Sequence, residues 1–172
     1  MRFTLISVSF VLVWMLAFSF SFSNRRATKQ TTCKIKTTQD YTFKNICANN
    51  LKVAATNISS FIFAGIPAII SLFQNGLVLG YYTSTSIHQA KIPRIKVLML
   101  ILPHAVFEFF GLILSVVIPF EIGLRIFKSF SRPFESNDVK NLFIYATILS
   151  LISFFSIIIG AWLEIEIALK LI

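Results

Sequence analysis

The chain of 172 residues is 56% hydrophobic and 13% charged, with a mean hydropathy of +0.78. Soluble domains carry about 45–50% apolar and about 25% charged residues, so a soluble fold is excluded and one membrane domain over residues 1–172 fills the length. The net charge of +9 would suggest nucleic acid in a soluble protein. Here the cations fall between apolar runs, where they meet lipid headgroups and set topology, and no nucleic-acid motif is present.

The first apolar run, residues 3–22, reads as a retained membrane helix. Its positive flank is only Arg2 and the amino terminus, and it exceeds the apolar core of a signal peptide, about 7–15 residues. Ser21-Phe22-Ser23 is a small-x-small sequence, so cleavage stays open as the alternative. A polar connector, residues 23–52, follows and holds both cysteines, Cys33 and Cys47. Their separation fits neither a zinc ribbon nor a CxxC pair; outside the cell they would form one disulfide, and inside it two ordinary thiols.

The second run, residues 53–82, has no charge but is interrupted by Pro67, Gln74-Asn75-Gly76 and Gly80. It is too long for one upright span and too short for two with a turn, so a kinked or broken helix is expected. Gly76 and Gly80 form a G-x-x-x-G, with Gly65 on about the same face, a spacing that lets another helix approach closely. The expected partner is the third span, beside Phe107, Phe109 and Phe110. Asn57-Ile58-Ser59 matches a glycosylation sequon but adjoins this span and is discounted.

After Lys91, Arg94 and Lys96 comes the third run, residues 97–118. His104 and Glu108 are four residues apart and share a helix face with Gly111 and Ser115. Charged groups at membrane depth cost about 2.5–3.5 kcal/mol on insertion scales, so the two are expected inside the bundle and paired. Pro103 removes a backbone donor one position earlier and should bend the helix. A packing pair is the leading reading, ahead of a proton relay or ion site and of catalysis. His88 is the only other histidine, no H-E-x-x-H is present, and no metal or cofactor is expected.

The fourth run, residues 142–163, begins after Arg132-Pro133 and the capping cluster Ser136-Asn137-Asp138. Ser153, Ser156, Gly160 and Glu164 make a small-polar stripe ending in a carboxylate, which would meet His104 or lie at the membrane interface. The fold class is therefore all-α: a polytopic integral membrane bundle of about four transmembrane helices. With four spans, the connectors after the first and third carry eleven cations against five elsewhere, and the positive-inside rule puts both chain ends outside.

Pro103-His104-x-x-x-Glu108 in a membrane helix, preceded by Asn75-Gly76-x-x-x-Gly80, resembles the stage II sporulation protein M family. Asn49-Asn50 upstream and Ala161-Trp162-Leu163-Glu164 downstream extend the likeness. Ala105 stands where that family usually has Gly, and Phe109-Phe110 replaces Leu-Pro. The resemblance implies a multi-pass cell-membrane protein without enzymatic activity, anchoring or scaffolding a partner complex. Bacteriocin maturation, export or immunity is the alternative it implies, beside a small transporter component. The expected partners are the lipid bilayer and other membrane or cell-envelope proteins, with an oligomer compatible and nucleic acid excluded. The candidate functional or packing residues are Pro103, His104, Glu108, Asn75, Gly76, Gly80 and Glu164.

Overall fold

The computed structural model describes residues 2–23, 42–88, 92–130 and 136–171. Cys33, Lys91 and Arg132-Pro133 lie outside these residues, and so does the question of a Cys33–Cys47 bridge. Five helices are present: α1 (Arg2–Ser23), α2 (Phe43–Ser59), α3 (Ile66–His88), α4 (Arg94–Ser129) and α5 (Ser136–Leu171). Three hold stretches long and apolar enough to cross a bilayer, over Ile6–Ser23, Arg94–Lys128 and Asn137–Ile167. At about 1.5 Å per residue, α4 and α5 exceed the ~30 Å hydrocarbon layer.

The second apolar run is a broken helix, and the break lies beside Pro67, the first of its three interruptions. Thr42 caps α2, its hydroxyl accepting from the Asn45 backbone N–H at 3.3 Å, so the helix starts well inside the connector that hydropathy marks. α2 ends at Ser59 and tightens into a 3₁₀ turn over Ser60–Phe63. Ala64 and Gly65 then take left-handed φ of 51° and 76°. A side chain at Gly65 is doubly disfavoured: its φ suits glycine, and a Cβ would lie 3.0 Å from the Phe120 nitrogen. Pro67 is the second residue of α3, where its missing N–H has no helical partner to lose. Asn75, Gly76 and Gly80 lie in uninterrupted α3.

Contacts fix the helix directions. Gly76 meets Trp14 and Ala17, Gly80 meets Phe18 and Ser21, and the Ser84 hydroxyl donates to the Phe22 carbonyl, so α1 and α3 run parallel. Asn50 reaches Glu108 and Asn57 reaches Ser115, so α2 runs parallel to α4. Gly111 meets Ser153 and Ile157 while Gly160 meets His104 and Glu108, so α4 and α5 are antiparallel. Gly65 and Ala64 against Phe120 and Gly123 set α3 antiparallel to α4. The five helices thus pass through the bundle in alternating directions, around a core of Phe10, Ala68, Leu72, Ile113, Val116 and Val117.

Several expectations change. Gly65 does pack on α4, but Gly76 and Gly80 pack on α1: a Cβ at Gly80 would lie 2.5 Å from the Phe18 carbonyl oxygen, and one at Gly76 2.8 Å from that of Trp14. Because α2 is a separate pass, Cys47 and Lys140 lie towards opposite ends of the bundle. The five helices also bring the start of α1 and the end of α5 towards opposite ends of the bundle, an arrangement that four alternating helices would not give. Finally, α4 continues as one helix through Pro103 and Pro119.

Two tests follow from this packing. Gly76→Leu or Gly80→Leu should force α1 off α3 and cost about 1–3 kcal/mol, read as lowered thermal stability and folded yield in detergent. A cysteine-free chain carrying Thr42→Cys, at the start of α2, and a second carrying Lys140→Cys should label from opposite sides of the membrane with an impermeant maleimide. Labelling of both from the same side would show that α2 and α3 do not make two separate passes.

Candidate functional site

Glu108 sits about midway along the bundle, where α2, α4 and α5 meet. Its Oε1 accepts from the Asn50 side-chain amide at 2.7 Å. Seven residues on, the Asn57 amide donates to the Ser115 hydroxyl at 3.0 Å, which in turn donates to the Leu112 carbonyl at 2.7 Å. Two turns therefore separate the polar contacts on both helices, and both fall on one α2–α4 seam. Asn57 and Ser115 are buried at 2% and 0% exposure, where an unpaired amide or hydroxyl would cost about 1–3 kcal/mol.

The α4–α5 seam works differently. The Ser153 hydroxyl donates to the Gly111 carbonyl at 2.6 Å and the Ser156 hydroxyl to the Phe107 carbonyl at 2.7 Å. Gly160 lies where a Cβ would strike Glu108 Cγ at 2.5 Å. The absence of a side chain there lets the acidic residue lie along α5. Glu164, one turn further, is within electrostatic reach of Glu108 but makes no hydrogen bond with it.

On the other flank of Glu108 is a cavity of about 170 Å³, lined in part by Trp14 of α1, Asn75 of α3, and His104, Glu108 and Phe109 of α4. Trp14 packs on Phe109 with ring centroids 4.3 Å apart. The Asn75 amide donates to the Ser71 carbonyl at 2.9 Å. His104 Nδ1 is buried and makes no hydrogen bond. The expected His104–Glu108 pair does not form: both residues line one cavity, but the carboxylate takes its donor from Asn50 on another helix.

Of the residues marked in the sequence, Asn75, His104 and Glu108 converge on the cavity, with Glu164 near the carboxylate. Gly76 and Gly80 serve the α1–α3 contact instead. Pro103 is on the outer surface of α4. Asn50, Asn57 and Trp14 have roles that reading along the chain missed. The usable signal was the matched seven-residue spacing of Asn50/Asn57 and Glu108/Ser115. Among the described residues, no group of three or more His, Cys, Asp and Glu side chains is placed to hold a metal ion.

A helical bundle with three long apolar helices and its polar contacts turned inward defines a multi-pass integral membrane protein. Comparison with known families matches residues 3–167 to stage II sporulation protein M, and the chain belongs to that family. It is 32% identical over 135 residues to an uncharacterized protein of Methanocaldococcus jannaschii, an alignment covering 76% of this chain and 73% of that protein. No solved structure matches.

The Asn50–Glu108 contact should show in a double-mutant cycle of Asn50→Leu and Glu108→Leu, read as unfolding free energy in detergent. A coupling of about 1–2 kcal/mol is expected, the upper range for interhelical hydrogen bonds in membranes. The same cycle with His104→Leu and Glu108→Leu should give a clearly smaller coupling. The reverse order would restore the His104–Glu108 pair.

Proposed function

We propose that the protein is a non-catalytic membrane scaffold that holds partner proteins in or beside the bilayer. The observation that carries this reading is the use made of the interior polar groups. Glu108, Ser115, Ser153 and Ser156 are each committed to a bond joining two helices. Groups spent on fixed helix contacts hold a shape, whereas a transport pathway needs groups that exchange partners with a moving solute. Membership of the stage II sporulation protein M family agrees with an anchoring role.

A second reading, a small transport component, draws support from the cavity beside His104, whose buried Nδ1 has no partner. Extraction of the chain from its native membrane in mild detergent separates the two. The scaffold reading expects elution with other envelope proteins at fixed ratio. Elution of the lone bundle, together with solute movement in proteoliposomes that Glu108→Gln abolishes, would overturn it in favour of transport.

A further inference from the structure

The outward surface of α2 is unlike that of every other helix. α1 exposes Leu12, Leu16 and Phe20, α3 exposes Ile66, Ile70 and Phe73, and α4 and α5 expose similar large apolar side chains along their lengths. Between Lys44 and Ser59, α2 exposes not one. Apart from Phe43 at its first position, its exposed residues are Lys44, Asn45, Ala48, Asn49, Lys52, Ala55, Thr56 and Ser59, a single stripe at helical spacing. The opposite face, with Asn50, Ala54 and Asn57, is the one packed into the bundle.

The stripe lies at membrane depth. Lys52 is two residues past Asn50, which is bonded to Glu108. Glu108 lines the same cavity as Trp14, close to the middle of the Ile6–Ser23 span. Thr56 and Ser59 satisfy their hydroxyls on carbonyls of their own helix, at 2.8 and 2.9 Å. Asn49 and Lys52 have no such outlet, and among the described residues Lys52 forms no ion pair. A lysine at this level is costly in hydrocarbon, and a carboxylate partner lowers that cost further than extension of the side chain towards an interface alone.

We propose that this face docks a transmembrane helix of another protein, one that brings a carboxylate to the depth of Lys52. The charge pattern selects the occupant: the stripe carries two lysines and no acid. A second copy inserted in the same orientation would bring Lys52 against Lys52. The small residues Ala48 and Ala55 on either side of Lys52 let a helix backbone approach closely, as in other small-residue membrane contacts. A carboxylate opposite Lys52 and Asn49 then receives charge-assisted hydrogen bonds that water cannot supply there. This rests on the scaffold reading and names the surface it uses.

The test places a photo-crosslinking side chain at position 49, at 52 and, as a lipid-facing control, at Leu151 in α5, in cells of the native host. Positions 49 and 52 should give a discrete adduct whose cross-linked peptide comes from an apolar helix containing Asp or Glu; position 151 should give none. Lys52→Glu, tested with the probe at 49, should abolish the adduct, and changing the partner's acid to Lys should restore it. The Lys52 side chain is exposed and forms no ion pair among the described residues, so Lys52→Glu should melt in detergent as the parent does; if it does not, Lys52→Gln carries the same comparison. An adduct of twice the chain's mass, adducts with lipid alone, labelling of Lys52→Cys by a water-soluble maleimide, or failure of the charge swap would each overturn the proposal. If these fail while the chain still co-purifies with partners at fixed ratio, the scaffold reading stands and this surface is not its docking site.

Discussion

The structure depends on keeping a polar helix at membrane depth. Hydrocarbon offers no water to an amide or a lysine, so every such group must find a protein partner or be excluded. α2 carries Asn50 and Asn57 on its inner face, and α4 carries Glu108 and Ser115 at the same separation. Individual interhelical bonds in membranes contribute little, about 0.6 kcal/mol on average. Their greater effect is on register. Sliding α2 by one residue along α4 would leave two amides and a carboxylate unpaired together, each costing more than a formed bond returns. The polar pairs therefore specify where α2 sits more than they stabilise its being there.

The other helices are held by close backbone approach, which works without polar side chains on both partners. Gly76 and Gly80 bring α3 against the carbonyl edge of α1, while Gly111 and Gly160 bring α4 against α5, where two serine hydroxyls add bonds to backbone carbonyls. Where lipid is as apolar as leucine, such contacts gain from dense packing rather than from removal of surface from water. The result is two tight helix pairs, with α2 fitted against α4 and α5. The left-handed turn at Ala64 and Gly65 lets the chain reverse from α2 into α3 against Phe120 without a longer loop.

Much of this was legible in the sequence, for identifiable reasons. Apolar runs marked α1, α4 and α5 because a lipid-exposed helix must be apolar over most of its circumference. The same criterion assigned the first half of α2 to a connector, since Lys44, Asn49, Asn50 and Lys52 lower its hydropathy. Pro67, Asn75-Gly76 and Gly80 marked the second run as kinked or broken without fixing the place, because such residues punctuate chains in water; in a membrane bundle, glycine more often marks close helix contact. The real break, at Ala64-Gly65, shows mainly as one glycine among large apolar residues. The spacing of His104 and Glu108 correctly put them on one face. It could not reveal that the carboxylate's donor lay 58 residues upstream, because a shared face fixes proximity and not partnership.

Inside and outside are solved unequally in this bundle. At the centre, carboxylate, amides and hydroxyls are matched across helix boundaries, and the exception among the described residues is the buried His104 Nδ1, on a residue that lines a small cavity. On the surface, large apolar side chains cover four helices, while the outer stripe of α2 remains polar and cationic. A chain alone in lipid would satisfy the first arrangement and violate the second. A buried charge is tolerable only when paired, which is why the proposed docking helix supplies Lys52 with a carboxylate from outside this chain. The register imposed by Asn50 and Asn57 points the inner face of α2 at Glu108 and Ser115, and the same register sets Lys52 on the outer face, away from Glu108.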